Sequence, residues 1–315
     1  MKFKYIFGPV KSSRLGRSLG IDLLGEKICS FDCLYCEVGR TKNKTLARDV
    51  YVDPDLILNE LEKWFKLLPI KPEVITFGGS GEPCLNITMG FLAREIKKRY
   101  DYPLAILTNS SLLENEVVLR ELSLFDIILP SFDSAIEEEF VKINRPVKEI
   151  GVKNIEGGLL NLKQMFKGKI FLEILLLPNI NASERNKQKL YEFVRKLQPD
   201  RVDITTLTRP GTYVKNPLNK LELEAWRQKF ANFSFTRQRS TNTNEDNISS
   251  RYIKDISFLI LNSLKRRPQT IKDISVALSI QEDEVKKEIE KLILKQKVKL
   301  IKDFETSEQY YKIIL

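Results

Sequence analysis

The run Lys27-Ile28-Cys29-Ser30-Phe31-Asp32-Cys33-Leu34-Tyr35-Cys36-Glu37 sets three cysteines at C-x3-C-x2-C spacing, with an aromatic residue just before the last. Three thiolates on one short loop can hold three irons of a [4Fe–4S] cube and leave the fourth iron without a protein ligand, whereas electron-transfer clusters mostly use four cysteines. An open iron predicts a cluster built to bind something else. Zinc is the competing reading, but a structural zinc site takes four ligands. The chain has no histidine, and its one other cysteine is Cys84. Four cysteines in 315 residues, behind an N-terminus Met1-Lys2-Phe3-Lys4-Tyr5-Ile6-Phe7-Gly8-Pro9 with no apolar secretory stretch, do not read as a disulfide framework. Without histidine, proton transfer falls to Asp, Glu, Lys, Tyr or Cys, and no Ser-His triad is possible.

A length of 315 residues suits one large domain or two smaller ones, and a hydrophobic fraction of 42% supports a full core. No apolar run reaches the roughly eighteen residues of a membrane span. Cluster cysteines need a reducing compartment, so the expected location is the cytoplasm. A net charge of +10 favours an acidic partner such as RNA, or reflects a lysine-rich proteome.

Working outward from the cysteines, short apolar runs alternate with segments of helical period. The predicted strands are Leu19–Leu24, Val74–Phe77, Leu104–Leu107, Asp126–Leu129, Ile170–Leu176 and Arg201–Thr205. The predicted helices are Pro54–Leu67, Thr88–Arg99, Glu114–Glu121, Ile150–Phe166 and Ser183–Leu197, the last with Leu190, Phe193, Val194 and Leu197 on one face. This alternation predicts parallel βα units within residues 1–236. The cluster loop then follows the first strand, at the carboxyl ends where parallel α/β sheets place their chemistry.

Residues 237–250 are almost devoid of apolar side chains and read as a polar linker. In residues 251–315, Tyr252–Leu264, a helix capped by Thr270, and Gln281–Lys295 read as three helices. Lys297–Ile301 and Gln309–Ile314 alternate as two strands. The pattern resembles a winged-helix domain. Its third helix opens with Glu282, Asp283 and Glu284, which repel phosphates, while Lys295, Lys297, Lys299 and Lys302 lie on the wing. Wing contact with RNA, protein docking and a structural lid are the competing roles.

The C-x3-C-x2-C loop resembles that of the radical S-adenosylmethionine (SAM) superfamily. The resemblance implies a partial (β/α)6 TIM-like barrel, a [4Fe–4S] cluster on Cys29, Cys33 and Cys36, and SAM chelating the fourth iron. It also implies reductive cleavage of SAM to a 5′-deoxyadenosyl radical. The run from Phe7-Gly8-Pro9-Val10-Lys11-Ser12-Ser13-Arg14-Leu15-Gly16 to Asp22, together with the cysteine loop, is similar to a largely unassigned subfamily. That subfamily is grouped with the wybutosine-pathway enzymes, which build a tricyclic base in tRNA. Lys11 and Ser13 depart from its usual proline and arginine, and the likeness covers about residues 5 to 215.

Thr76-Phe77-Gly78-Gly79-Ser80-Gly81-Glu82-Pro83, at the end of the second predicted strand, resembles the superfamily's glycine-rich motif for the SAM ammonium. That makes Gly79, Gly81 and Glu82 cofactor-binding candidates. Asn109, Ser131 and Asp133 end the next two strands and suit the SAM carboxylate and ribose, though such residues also favour turns. Arg14 and Arg17 can pair with a substrate anion or sit on the surface. Glu173, inside an apolar strand, predicts a polar barrel lumen. Arg145 and Arg209 fall in runs similar to the subfamily and are further substrate candidates. Cys84 is a buried small residue or a catalytic hydrogen-atom donor. The expected function is a radical SAM enzyme acting on an RNA base, with tRNA as partner and an external ferredoxin- or flavodoxin-type electron donor. The alternatives are modification of a protein docked by the winged-helix domain and an iron–sulfur, DNA-binding redox regulator.

Overall fold

A computed structural model describes residues 3–68, 70–208, 212–213, 215–233, 256–265, 267–302 and 309–314. A seven-stranded sheet runs in chain order through β1 (Ile6–Ser12), β2 (Gly16–Ile21), β3 (Val74–Phe77), β4 (Leu104–Thr108), β5 (Ile127–Pro130), β6 (Lys169–Leu176) and β7 (Arg201–Thr206). β2 to β7 are parallel neighbours, and β1 lies antiparallel on β2. The crossovers carry α1 (Pro54–Leu67), α2 (Met89–Arg99), α3 (Glu116–Leu122), α4 (Glu137–Asn144), α5 (Val152–Met165) and α6 (Glu184–Leu197); α7 (Lys220–Lys229) follows β7.

Strand alternation sorts the side chains. Ile75, Phe77, Leu104, Ile106, Ile128, Ile170, Leu172 and Ile174 pack into the core beneath the helices, whereas Leu15, Val74, Ala105 and Leu129 form a second cluster with Leu107, Ile127 and Phe171. The second cluster lines a concave face. Flat strands four places apart would stand about 19 Å from each other. Yet Arg14, on the β1–β2 turn, pairs with Glu173 of β6. The sheet therefore curls into a half-barrel, with Glu173 on its lumen face.

Several boundaries differ from the sequence expectation. The first predicted strand, Leu19–Leu24, is shifted to Gly16–Ile21, because Asp22 ends it: its carboxylate accepts from the amides of Leu24 and Gly25 at 3.1 and 3.3 Å. β1 escapes the sequence reading because Pro9 sits where its register shifts, between Phe7 and Val10, and proline inside a run argues against a strand. α4 lacks a side-chain cap and opens on Glu137-Glu138-Glu139, so it gives little signal. α7 buries Trp226 alone, so it too carries little apolar periodicity in the sequence.

Beyond it come α8 (Ile256–Leu264), α9 (Ile271–Leu278), α10 (Glu282–Leu294) and the antiparallel pair β8 (Val298–Lys302) and β9 (Gln309–Ile313). Thr270 caps α9 through the Asp273 amide at 3.0 Å. The expected linker 237–250 lies outside the described residues. The hydrophobic core continues without a break from the half-barrel into Leu259, Ile260, Ile274, Val285 and Leu292. These helices cover the free edge of the sheet: Asn262 donates to the Gly8 carbonyl at 3.4 Å, Ser263 to that of Pro9 at 3.1 Å, and Lys265 to those of Phe3 and Lys4 at 2.9 and 2.8 Å. Among the described residues no helix is long and apolar enough to cross a membrane.

Lys265→Met removes both ammonium bonds to the edge. The expected cost is about 2 kcal/mol, seen as a lower urea midpoint at unchanged slope; an unchanged midpoint would show that water replaces the ammonium without loss.

Candidate active site

The loop Cys29–Cys36 follows β2 and lies over the carboxyl ends of the parallel strands. Backbone bonds fix it on several sides. The amides of Asp32 and Leu34 donate to the carbonyls of Asn144 and Ile143 at 3.1 and 2.9 Å, and the Val147 amide returns to Ser30 at 2.9 Å. Glu82 donates its amide to Ile28 at 3.1 Å. The residues between the cysteines complete the anchoring. Ser30 bonds Ser111 at 2.7 Å, and the Tyr35 hydroxyl donates to Asp133 at 2.6 Å. The carboxylate of Asp32 accepts from the Thr41 amide at 2.8 Å and the Tyr213 hydroxyl at 2.6 Å, and Phe31 packs edge-on against Phe140.

Each thiol meets a nitrogen donor. Asn109 Nδ2 stands 3.4 Å from Cys29 Sγ, Asn144 Nδ2 3.5 Å from Cys33 Sγ, and Lys27 Nζ 3.0 Å from Cys36 Sγ. Burial pushes Cys29 up to about 11 against the pull of Lys27, and it raises Cys33 as well. Burial alone would lower Lys27, but the charges of Cys36, Cys29 and Cys33 outweigh it and raise the ammonium. Asn144 is 2% exposed, and its Oδ1 is buried with no donor among the described residues. Among those residues no three Cys, Asp or Glu side chains converge as ligands of a single ion. A cube gives each thiolate its own iron and so separates its ligands, and three thiols each met by an N–H donor fit that electron-rich group.

The glycine-rich turn packs on the same loop. Gly79 has φ +124°, and a Cβ on Gly81 would stand 1.6 Å from the Ile28 carbonyl oxygen, so close backbone approach requires glycine there. The Glu82 carboxylate turns inward, accepting from the Cys84 amide (3.0 Å), the Thr108 hydroxyl (2.9 Å) and the Asn109 amide (2.6 Å). Burial raises its pKa against those bonds. Asp133 likewise has both oxygens engaged, by Tyr35 and Asn144 (2.7 Å) on one side and the Leu175 amide (2.8 Å) on the other, and burial raises it. Ser131 is bridged to Glu173 through the backbone and is half-buried. Cys84 lies wholly in the core with its thiol 3.7 Å from Thr108, and burial raises it well above the usual thiol range; a group so enclosed has no surface on which to meet a substrate.

The substrate candidates separate. Arg14 and Glu173 pair in the lumen beside Arg201, which bonds Asp203 at 2.7 Å and lies over the Phe171 ring. Burial pushes Glu173 up to about 7; Arg14 and Arg201 lower it, Asp203 and Asp133 raise it. Arg17 is directed elsewhere, donating to Ser279 before α10 at 2.9 Å. Arg145, at a left-handed φ of +49°, pairs with Asp32 at 3.1 Å. Its guanidinium and that of Arg40 each lie 4.8 Å from the Tyr213 ring, while Thr212 donates its amide and hydroxyl to the Cys36 carbonyl at 2.8 and 2.7 Å. Arg209 lies outside the described residues. The sequence gives Lys27, Tyr35, Asn144 and Tyr213 no role of this kind; Asn144 stands one position before the candidate Arg145.

A model of the radical SAM superfamily matches residues 27–187, just over half of the 315 residues, and the chain belongs to that superfamily. It is 35% identical over 302 residues to a protein named GTPase Obg from Brachyspira hyodysenteriae, covering 95% of this chain and 44% of that protein. It is 38% identical over 216 residues to the UPF0026 protein MJ1312 of Methanocaldococcus jannaschii, covering 67% of this chain and 66% of the relative. The chain thus spans less than two thirds of either relative. A radical SAM methyltransferase from Sphaerobacter thermophilus shares the fold, with a TM-score of 0.52 at 13% identity over 68% of this chain and 63% of that one. That superfamily's enzymes use a [4Fe–4S] cluster and SAM.

Two outcomes test this geometry. Gly81→Ala forces Cβ into the backbone carbonyl of Ile28, immediately before Cys29; the expected cost is about 1–3 kcal/mol, with reduced iron uptake on reconstitution. Glu173 binds its proton more tightly folded than unfolded, so its contribution is fully present below its ordinary 4.5 and is lost as pH rises through about 7. Thermal melts of Glu173→Gln should lose that downward slope; an identical slope would place the titration elsewhere.

Proposed function

We propose that Cys29, Cys33 and Cys36 hold the [4Fe–4S] cluster and that the enzyme modifies a base in RNA, with tRNA as the substrate class. The observation that carries the ligand assignment is the division of labour in the loop: Ser30, Asp32 and Tyr35 are committed to anchoring, and each of the three thiols faces an N–H donor. When bound, the cluster and SAM supply a 5′-deoxyadenosyl radical able to take a hydrogen atom from an unactivated carbon. The backbone of Gly79 and Gly81, with Asn109 and Ser131, offers polar groups for SAM beside that loop. Glu82 and Asp133 act from behind, holding the turn and the loop in place. The electron comes from an external ferredoxin- or flavodoxin-type donor, in a reducing compartment such as the cytoplasm.

Two features support RNA. The chain carries a net +10, and Arg40, Tyr213 and Arg145 form a cationic, aromatic rim fastened to the cluster loop. Guanidinium groups on an aromatic ring suit phosphates and unstacked bases. The likeness to the wybutosine grouping gives the base-modifying chemistry. Residues 251–315 are taken as a winged-helix unit beyond a linker at 237–250. A second reading, radical modification of a docked protein, is favoured by the exposed acidic start of α10 at Glu282 and Asp283, which would repel a nucleic acid.

Anaerobically reconstituted enzyme given SAM and dithionite is expected to release 5′-deoxyadenosine, with a clear rise when bulk tRNA is added. Cys33→Ala should abolish release; normal release in that variant would sink the ligand assignment. A yield indifferent to tRNA would move the substrate to protein or small molecules. Arg40→Gln should weaken tRNA binding across sequences and reduce the salt slope by about 1.

A further inference from the structure

Besides the Phe31 amide, which lies 3.5 Å from Cys29 Sγ, the three side-chain donors that face the thiols come from three separate parts of the chain. Lys27 precedes the cysteine loop, Asn109 follows β4, and Asn144 is the last residue of α4. Two of them are held firmly. The backbone amide of Asn109 is bound by Glu82 at 2.6 Å and its Oδ1 by the Ser111 amide at 3.0 Å, while Asn144 also donates to Asp133 at 2.7 Å. Lys27 is half-buried and makes no ion pair with a carboxylate among the described residues; its hydrogen bond there is to Cys36 Sγ at 3.0 Å. A cation left without a carboxylate in a partly desolvated site has that sulfur as its reason for being there.

We propose that Lys27, Asn109 and Asn144 form a donor set that raises the reduction potential of the cluster, with Lys27 the dominant member. The proposal rests on Cys29, Cys33 and Cys36 being the ligands. Hydrogen bonds to cysteinyl sulfur draw electron density from the iron and are among the levers that set cluster potentials. The cluster gains one negative charge when the external low-potential donor delivers its electron. A fixed positive charge at the Cys36 sulfur stabilises that product more than the reactant, and a half-buried site screens the interaction less than water does. The two amides add weaker, neutral donation at the other two sulfurs. The set thus eases delivery of the donor's electron to the cluster, the step that must precede SAM cleavage, and these side chains act through the sulfurs as positioning residues.

The test is potentiometric. Full-length wild type, Lys27→Met, Lys27→Arg and Asn144→Leu are reconstituted anaerobically, their iron and sulfide contents measured, and the reduced cluster titrated by electron paramagnetic resonance without SAM. Lys27→Met is expected to load and to shift negative by about 59 mV, a tenfold change in a one-electron equilibrium. Asn144→Leu should shift less in the same direction, and Lys27→Arg should return close to wild type. Loaded Lys27→Met titrating at the wild-type potential overturns the proposal. So does its failure to load while wild type loads, since Lys27 would then serve assembly. Failure of the wild type itself to take up iron would instead overturn the ligand assignment.

Discussion

The buried carboxylate of Asp133 is the junction on which the rest of the site depends. One oxygen receives the Tyr35 hydroxyl from the cysteine loop and the Asn144 amide from the end of α4, and the other receives the Leu175 amide of β6. Its carbonyl is bound in turn by the amides of Asn181 and Asn186 at 2.8 and 3.2 Å. A charge 1% exposed persists only if its lone pairs are satisfied. These bonds therefore fix the loop, the helix end and the strand relative to one another. Glu82 does the same between β3 and β4. Two buried carboxylates, one after β3 and one after β5, thus tie the mouth together, which a site that directs a reactive radical needs.

The lumen is divided. Its β3–β5 side is largely apolar, with Val74, Ala105 and Leu129, while β6 and β7 contribute Glu173, Arg201 and Asp203, joined by Arg14 from the β1–β2 turn. The turn acts as a plug, and the ion pairs let charged side chains stand inside a sheet without the penalty of isolated burial. Above the plug, the Tyr213 segment is fastened to the Cys36 carbonyl and to Asp32, so the chain after β7 reaches back over the loop that follows β2.

The C-terminal helices have a structural role whatever they bind. An uncovered β1 would expose a row of backbone groups at the sheet edge. Side chains of Asn262, Ser263 and Lys265 meet the carbonyls of that strand and of the residues before it. Arg17 contributes through Ser279, so one of the two N-terminal arginines serves this contact and the other serves the lumen.

Much of this was legible in the sequence. The cysteine spacing, the βα alternation and the cap at Thr270 are local patterns, set by short-range geometry that composition and periodicity record. The curled sheet follows from alternation and handedness once the strands are known. β1 was hidden by Pro9, and α4 by its acidic, uncapped start. The partners of the polar residues were not legible at all. Asn109, Ser131 and Asp133 occupy similar strand-end positions in the sequence, yet Asn109 faces a thiol while Asp133 is consumed by internal bonds. Cys84 is a candidate hydrogen-atom donor on paper and a core residue in space. The sequence determined which chemistry the loop can host, because thiolate number and spacing are covalent facts. Only the tertiary structure decided which side chains serve that chemistry, because hydrogen bonds and burial depend on what distant segments bring to the same few ångströms.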